Sequence, residues 1–249
     1  GSLVGVSEST VVRFAIELGF SGYPSLQKSL QELIKNKLTT VQRLDLSNDY
    51  ICNGYTLKGV LKADMENIRA TMEKINYSTF EDVVNNIFEA KRIYIVGLRS
   101  SMALAEFLGF YLNVILQNVK TVGYGISDIF EEMINVGEGD LVIGIGFPRY
   151  ANRTIDVLSF AQDRGATVVA LTDSIVSPLA QRADYALIAQ SNMASFVDSL
   201  VAPLSVINAL IIAVGLRQKE SVSTTFNSLE EIWKEYNVYS YNHNNDDEF

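Results

Sequence analysis

The chain has 249 residues, 48% hydrophobic and 20% charged, which is enough apolar content for a packed core and too much for a disordered chain. Its net charge of −9 excludes a globally basic nucleic-acid binder but leaves room for a local basic face. The single cysteine, Cys52, excludes an internal disulfide and Cys-rich metal sites, and the single histidine, His243, excludes a Ser-His-Asp triad, a Cys-His dyad and histidine-based zinc chemistry. No metal site and no cofactor are expected, and Cys52 reads as a core or hinge thiol.

In chain order, the first 45 residues carry five basic and four acidic side chains, whereas the remainder carries 15 basic and 25 acidic ones. A near-neutral head on an acidic body points to two jobs. Val11, Phe14, Ala15 and Leu18 fall at the spacing of one helix face, with Ser7 placed to cap the helix and Gly19 to end it. A second helix is expected over residues 24–36, with Pro24 in its first turn. Residues 45–55 contain Ser47, Asn48, Asn53 and Gly54 and read as a linker. Leu57, Leu61, Met65, Ile68, Met72 and Ile75 mark a longer helix, spaced to pack on the body or on a partner chain.

From Phe80 onward, short apolar runs alternate with helices. Runs are expected at 93–97, 120–122, 141–145, 167–171 and 185–189. The helices fall at 80–91, 101–117, 127–135, 151–164, 177–182, 195–215 and 226–236. That alternation predicts a doubly wound parallel sheet of the α/β class. The most apolar stretch, 195–215, is interrupted by Asp198, Pro203, Ser205 and Asn208 and reads as a buried helix rather than a membrane span. With no leader visible, the chain is expected to be cytoplasmic.

In such a sheet, ligands sit at the carboxyl ends of strands. Three of these ends carry suitable atoms. Gly97-Leu98-Arg99-Ser100-Ser101 joins a tight turn to two hydroxyls and a helix N-terminus, and reads either as an anion site or as a plain cap. After Gly144-Ile145-Gly146, Arg149 or Arg153 could grip a phosphate or carboxylate, or simply solvate a loop before a helix. In Leu171-Thr172-Asp173-Ser174, the acid and hydroxyl could bond sugar hydroxyls or cap a short helix. No dinucleotide fingerprint and no P-loop is present.

The segment Val6-Ser7-Glu8-Ser9-Thr10-Val11-Val12-Arg13-Phe14, followed by Leu18-Gly19-Phe20-Ser21-Gly22-Tyr23-Pro24, resembles the recognition-helix signature of the RpiR family of bacterial transcriptional regulators. From about Phe80 to Gly215 the chain resembles the sugar isomerase (SIS) domain that this family joins to its helix-turn-helix. The pieces are VGLRSS, GFPRY…T, LTDS..SPLA..AD and the helix after Ser195. The resemblance implies a partial helix-turn-helix domain at 1–45, a linker and connecting helix at 46–79, and a SIS-type αβα sandwich at 80–240. It implies that Ser9, Thr10 and Arg13 meet a DNA operator, Arg13 at a guanine or a phosphate. It implies a sugar phosphate or related derivative held by Ser100, Ser101, Arg149, Thr154 and Asp173. A homodimer or homotetramer without a membrane partner is expected.

Two departures from the family pattern bear on this. The family's helix-turn-helix is longer at its start, whereas this chain opens almost inside the turn, and Gly1-Ser2 matches a pair left by cloning; DNA binding by this chain is expected to be weakened. The phosphate loop, usually Ser-x-Ser-Gly-x-Thr, begins here with Gly146 and continues as Phe147-Pro148-Arg149-Tyr150, losing hydroxyls and gaining Arg149. The alternative function is a phosphosugar aldose–ketose isomerase, with Glu106, Asp128, Glu131 or Glu132 as base. No catalytic residue is assigned, because a fold shared with isomerases is not activity.

Overall fold

The computed structural model describes residues 7–27, 30, 38–51, 56–123, 125, 128–193 and 195–240. Cys52, His243 and most of the expected second helix lie outside them, although residues 23–27 are helical. The chain forms two compact units. The first comprises residues 1–73 with 147–149 and 190–202, and the second holds the rest.

The second unit is the parallel sheet. Helix Tyr77–Glu89 leads into β1 (Ile93–Gly97), followed by helix Ser101–Leu116, β2 (Val119–Val122), the one-turn helix Ile129–Glu132, β3 (Leu141–Ile145), helix Asn152–Gln162, β4 (Thr167–Thr172), a 3-10 turn at Ala180–Arg182 and β5 (Tyr185–Ile188). The strands lie in the order β2-β1-β3-β4-β5, all parallel. Strands β1 and β3 are buried along their whole length, which explains their unbroken apolar runs. Side chains alternate between faces. Tyr94, Val96, Val142, Val168 and Ala170 share one core cluster with Val157, Leu158 and Ala161 of helix Asn152–Gln162, whereas helix Ser101–Leu116 contributes nothing to that cluster. The two helices thus cover opposite faces. At the amino edge, the buried Asp140 accepts from Arg92 Nε at 3.0 Å, from Arg92 Nη2 at 2.8 Å and from the Gly137 N–H at 3.0 Å. That hydrogen-bonded carboxylate holds the Arg92 guanidinium above its ordinary range.

Helices Val201–Arg217 and Lys219–Glu235 close the chain. The first begins six residues later than its apolar run, because Pro203 fits only a first turn. The last helix starts seven residues earlier than expected. No single helix among the described residues is long and apolar enough to cross a membrane.

The first unit holds helices Glu8–Glu17, Thr40–Ile51 and Thr56–Lys74. Ser7 caps the first as expected, accepting from the Thr10 N–H at 3.2 Å, and Gly19 follows its end at φ +84°. Its expected inward face is not buried as a whole: Ala15 is covered, but Phe14 and Leu18 stand more than half exposed. Ten residues bring no neighbouring surface of their own to cover the stripe. The expected linker at 45–55 is helical as far as Ile51. Its start is a reciprocal cap, in which Thr39 Oγ1 accepts from the Gln42 N–H at 3.3 Å and Gln42 Oε1 accepts from the Thr39 N–H at 2.9 Å. The buried Arg43, one turn on, donates to Asp198 at 2.9 Å. A capped start and a buried ion pair therefore outweigh the turn-forming Ser47 and Asn48.

Leu158 is wholly buried and fills the space that a side chain at Gly144 would occupy. Leu158→Ala is expected to cost about 3 kcal/mol, read as a lowered urea midpoint by far-UV circular dichroism.

Candidate functional site

Strand order reverses at β1, so the crossovers leaving β1 and β3 diverge to opposite faces. The register sets Gly97 beside Ile145 at the carboxyl edge. Such a divergence opens a crevice at the strand ends.

After β1 the chain makes a strained turn. A Cβ on Gly97 would lie 2.5 Å from the Ser101 carbonyl oxygen, so the glycine exists for close approach of the helix start. The left-handed residue of the turn is instead Arg99, at φ +57°. An unbranched cation in that region carries strain that Gly would not. Ser100 is exposed and makes no capping bond, so the plain-cap reading fails for it. Ser101 is almost wholly buried, yet its hydroxyl forms no side-chain hydrogen bond among the described residues. It opens a 16-residue helix whose N-terminal N–H groups and dipole favour an anion.

After β3, a serine at Gly146 would set its Cβ 2.7 Å from Leu179 Cδ2. Leu179 thus fills the place of the hydroxyl that the expected loop pattern calls for. Thr154 is buried in the first turn of its helix, and its hydroxyl likewise forms no side-chain hydrogen bond among the described residues. Arg153 is engaged: it donates to Asp128 at 3.1 Å and lies 5.5 Å over the Phe130 ring. Arg149 is grouped with the first unit, exposed, at φ +66°, and donates to Thr40 Oγ1 at 2.6 Å.

At the end of β4, Ser174 caps the following turn, its Oγ accepting from the Val176 N–H at 3.3 Å, whereas Asp173 joins a hydrogen-bonded chain. Tyr150 donates its phenol to Asp173 Oδ1 at 2.7 Å, and Thr172 Oγ1 donates to the same oxygen at 3.2 Å. Thr172 and Ser177 hydroxyls pair at 3.1 Å, and Ser177 accepts from the Ala180 N–H at 3.1 Å. Burial, then the bond to Asp173 and its charge, push the Tyr150 phenol well above its ordinary range. Thr172 and Ser177 were legible only as a spacing of five between two hydroxyls. The carboxylates offered as bases serve elsewhere. Asp128 and Glu131 form a capping box, Glu132 pairs with Lys120 at 3.3 Å, and Glu106 is exposed. No group of three His, Cys, Asp or Glu among the described residues is placed to hold a metal. In the other unit, Ser9, Thr10 and Arg13 are exposed on helix Glu8–Glu17, with Ser7 Oγ 2.8 Å from Ser9 Oγ and 2.9 Å from Thr10 Oγ1.

The SIS domain model matches residues 86–213, just over half of the chain. The sugar isomerase domain of an RpiR transcription factor from Sphaerobacter thermophilus is 30% identical, with a TM-score of 0.68, covering 71% of this chain and 99% of that one. The chain belongs to the RpiR family of SIS proteins. Over 188 residues it is also 29% identical to an uncharacterized HTH-type transcriptional regulator of Haemophilus influenzae, covering 74% of this chain. It spans only 64% of that relative's length. NanR of Vibrio vulnificus, solved with ManNAc-6P, is 18% identical with a TM-score of 0.63, covering 95% of this chain and 83% of that one; at that distance the likeness is of fold. The SIS match spans β1 to β5 and thus contains the turn at Gly97–Ser101.

Two variants separate packing from strain. Gly97→Ala is expected to destabilise the SIS domain by about 1–3 kcal/mol, because backbone must move. Arg99→Gly relieves the left-handed strain and is expected to hold or raise the thermal midpoint. A third tests the phenol. Its pKa is higher folded than unfolded, so its stabilising contribution is complete below the unfolded value of about 10 and fades as pH rises through the folded one. Tyr150→Phe is expected to flatten the fall in stability above about pH 10, measured by urea titration at a series of pH values.

Proposed function

We propose that this chain is the effector-sensing part of a transcriptional regulator, with a sugar phosphate or related derivative as effector. The observation that carries the reading is Ser101, a buried residue with no side-chain hydrogen bond among the described residues, at the start of a long helix beside the left-handed Arg99. Ser100 and Thr154 supply further hydroxyls, and Asp173 supplies a carboxylate suited to a sugar hydroxyl. Arg149 is a further candidate anion donor, to be tested by its own variant. Ser9, Thr10 and Arg13 present two hydroxyls and one cation for an operator. The assembly is a homodimer or homotetramer acting in the cytoplasm, and ligand acts by favouring one of two arrangements of it. Contact by the near-neutral head, with an acidic remainder, makes DNA affinity steeply salt dependent.

The chain is read as a sensor rather than an enzyme. Asp128, Glu131 and Glu132 are committed to caps and an ion pair, which weighs against an isomerase base. ManNAc-6P, the ligand of the NanR structure, belongs in the test panel.

Saturation-transfer proton NMR in deuterated water, with a panel of hexose and hexosamine phosphates and their free sugars, tests this. A saturable signal for phosphorylated sugars is expected, weakened at least about tenfold in Ser101→Ala, with no deuterium entering a ligand carbon. Solvent deuterium at a ligand carbon overturns the sensor in favour of an isomerase. Silence across the panel overturns the sugar phosphate reading.

A further inference from the structure

Three strands set a charge pattern along the carboxyl edge of the sheet. Gly97 of β1 pairs with Ile145 of β3, and Ile145 pairs with Leu171 of β4, so the three residues share one line across the strands. Arg99 and Asp173 each stand two residues past that line, after the strands that flank β3. Two strand spacings, about 10 Å, separate the two strand ends. The β1 end offers a cation and the start of a 16-residue helix, both favourable to an anion. The β4 end offers a carboxylate.

That carboxylate is held in place. Tyr150 donates its phenol to Asp173 Oδ1 at 2.7 Å, and Thr172 Oγ1 donates to the same oxygen at 3.2 Å. Thr172 is wholly buried and pairs in turn with the Ser177 hydroxyl at 3.1 Å. Burial first, and then the bond to Asp173, push the Tyr150 phenol above its ordinary range, so it stays protonated and goes on donating at neutral pH. Phenol and hydroxyl are neutral donors. They fix where the carboxylate sits and do not cancel its charge. Of the arginines that follow β3, Arg153 pairs with Asp128 at 3.1 Å, and Arg149 donates within the first unit to Thr40 Oγ1 at 2.6 Å.

We infer that Asp173, positioned by Tyr150, restricts the effector to a single anionic group: a sugar monophosphate whose far end presents hydroxyl or amine donors, and neither a sugar bisphosphate nor a phosphorylated sugar acid. Both side chains are half-buried. A second anion reaching the β4 end meets a like charge where repulsion is stronger than in water. A hydroxyl or ammonium there donates to the carboxylate instead. A loose carboxylate would swing away from an incoming anion, and the bonds from Tyr150 and Thr172 deny it that escape. Tyr150 thus acts through Asp173 and is a positioning residue. The inference rests on the sensor reading above and adds to it the charge of the ligand.

Titration calorimetry of the full chain with matched ligand pairs tests it. The pairs are glucose 6-phosphate with 6-phosphogluconate, fructose 6-phosphate with fructose 1,6-bisphosphate, and ManNAc-6P with its C1 acid. In each pair that binds, the monophosphate is expected to bind at least about tenfold tighter than its doubly anionic partner. Asp173→Asn and Tyr150→Phe are each expected to cut that ratio at least about threefold, whereas Ser101→Ala weakens both members alike and leaves the ratio standing. A merely structural role for Tyr150 would lower both affinities together. A doubly anionic ligand that binds as tightly as its partner overturns the inference, as does a ratio that Asp173→Asn leaves unchanged. A ratio that only Tyr150→Phe leaves unchanged overturns the positioning role. Should either variant fail to fold, the wild-type ratio decides: it is expected to shrink as salt is raised from about 0.01 to about 1 M, and a ratio indifferent to salt overturns the inference. Silence from both members of every pair overturns the sugar phosphate reading itself, whereas a preference for the doubly anionic member sinks this inference and leaves the sensor standing.

Discussion

The pairing of β1 with β3 is the constraint on which the SIS unit depends. Ten peptide units in a buried, parallel ladder place Gly97 level with Ile145. Because β2 lies on one side of β1 and β3 on the other, the helices that leave the two strands must cover opposite faces. The crevice between their starts is a consequence of connection, not of any side chain. What the side chains add is access. Gly97 lets the helix start close against the strand, and Leu179 over Gly146 removes the room for a hydroxyl that the SIS pattern otherwise supplies.

The unit divides its labour between its two sheet edges. At the amino edge a buried carboxylate, Asp140, has its oxygens taken up by Arg92 and the Gly137 N–H, an arrangement closed to any ligand. At the carboxyl edge, by contrast, the buried residues Ser101 and Thr154 make no side-chain hydrogen bond among the described residues, and a cation occupies a backbone region that favours glycine. Stability is concentrated where chemistry is absent, and local cost is carried where binding is proposed. Tyr150 links these roles, joining the start of one helix to the loop after β4 through Asp173.

The first unit follows a different rule. Its specific ties are polar and distant in sequence: Arg43 with Asp198, Asp64 with Ser199, Asn67 with Asn192, Thr71 with Gln190. Each bond has direction as well as energy, so together they orient helices that apolar contact alone would let slide. The same directionality leaves apolar residues outward on helix Thr56–Lys74, as at Met65.

Much of this architecture was legible beforehand. Unbroken runs such as Ile93–Gly97 and Leu141–Ile145 are strands because burial on both faces admits no polar alternation, and that holds in any arrangement of the chain. The sheet, its parallel class, the cap at Ser7 and the turn at Gly97–Ser101 therefore followed from local pattern. A helix over Thr40–Ile51 was also written locally, in Thr39 and Gln42, but was masked by the turn-forming residues after it. Tertiary structure alone decided which way each helix faces. The spacing of Leu57 to Met72 marks a stripe, yet a stripe has no inside until Asn67 and Thr71 meet a segment more than a hundred residues away. For the same reason only the folded chain could commit Arg153 to Asp128 and leave Ser101 without a described partner. A residue's partners are set by distances across the fold, and sequence separation does not encode them.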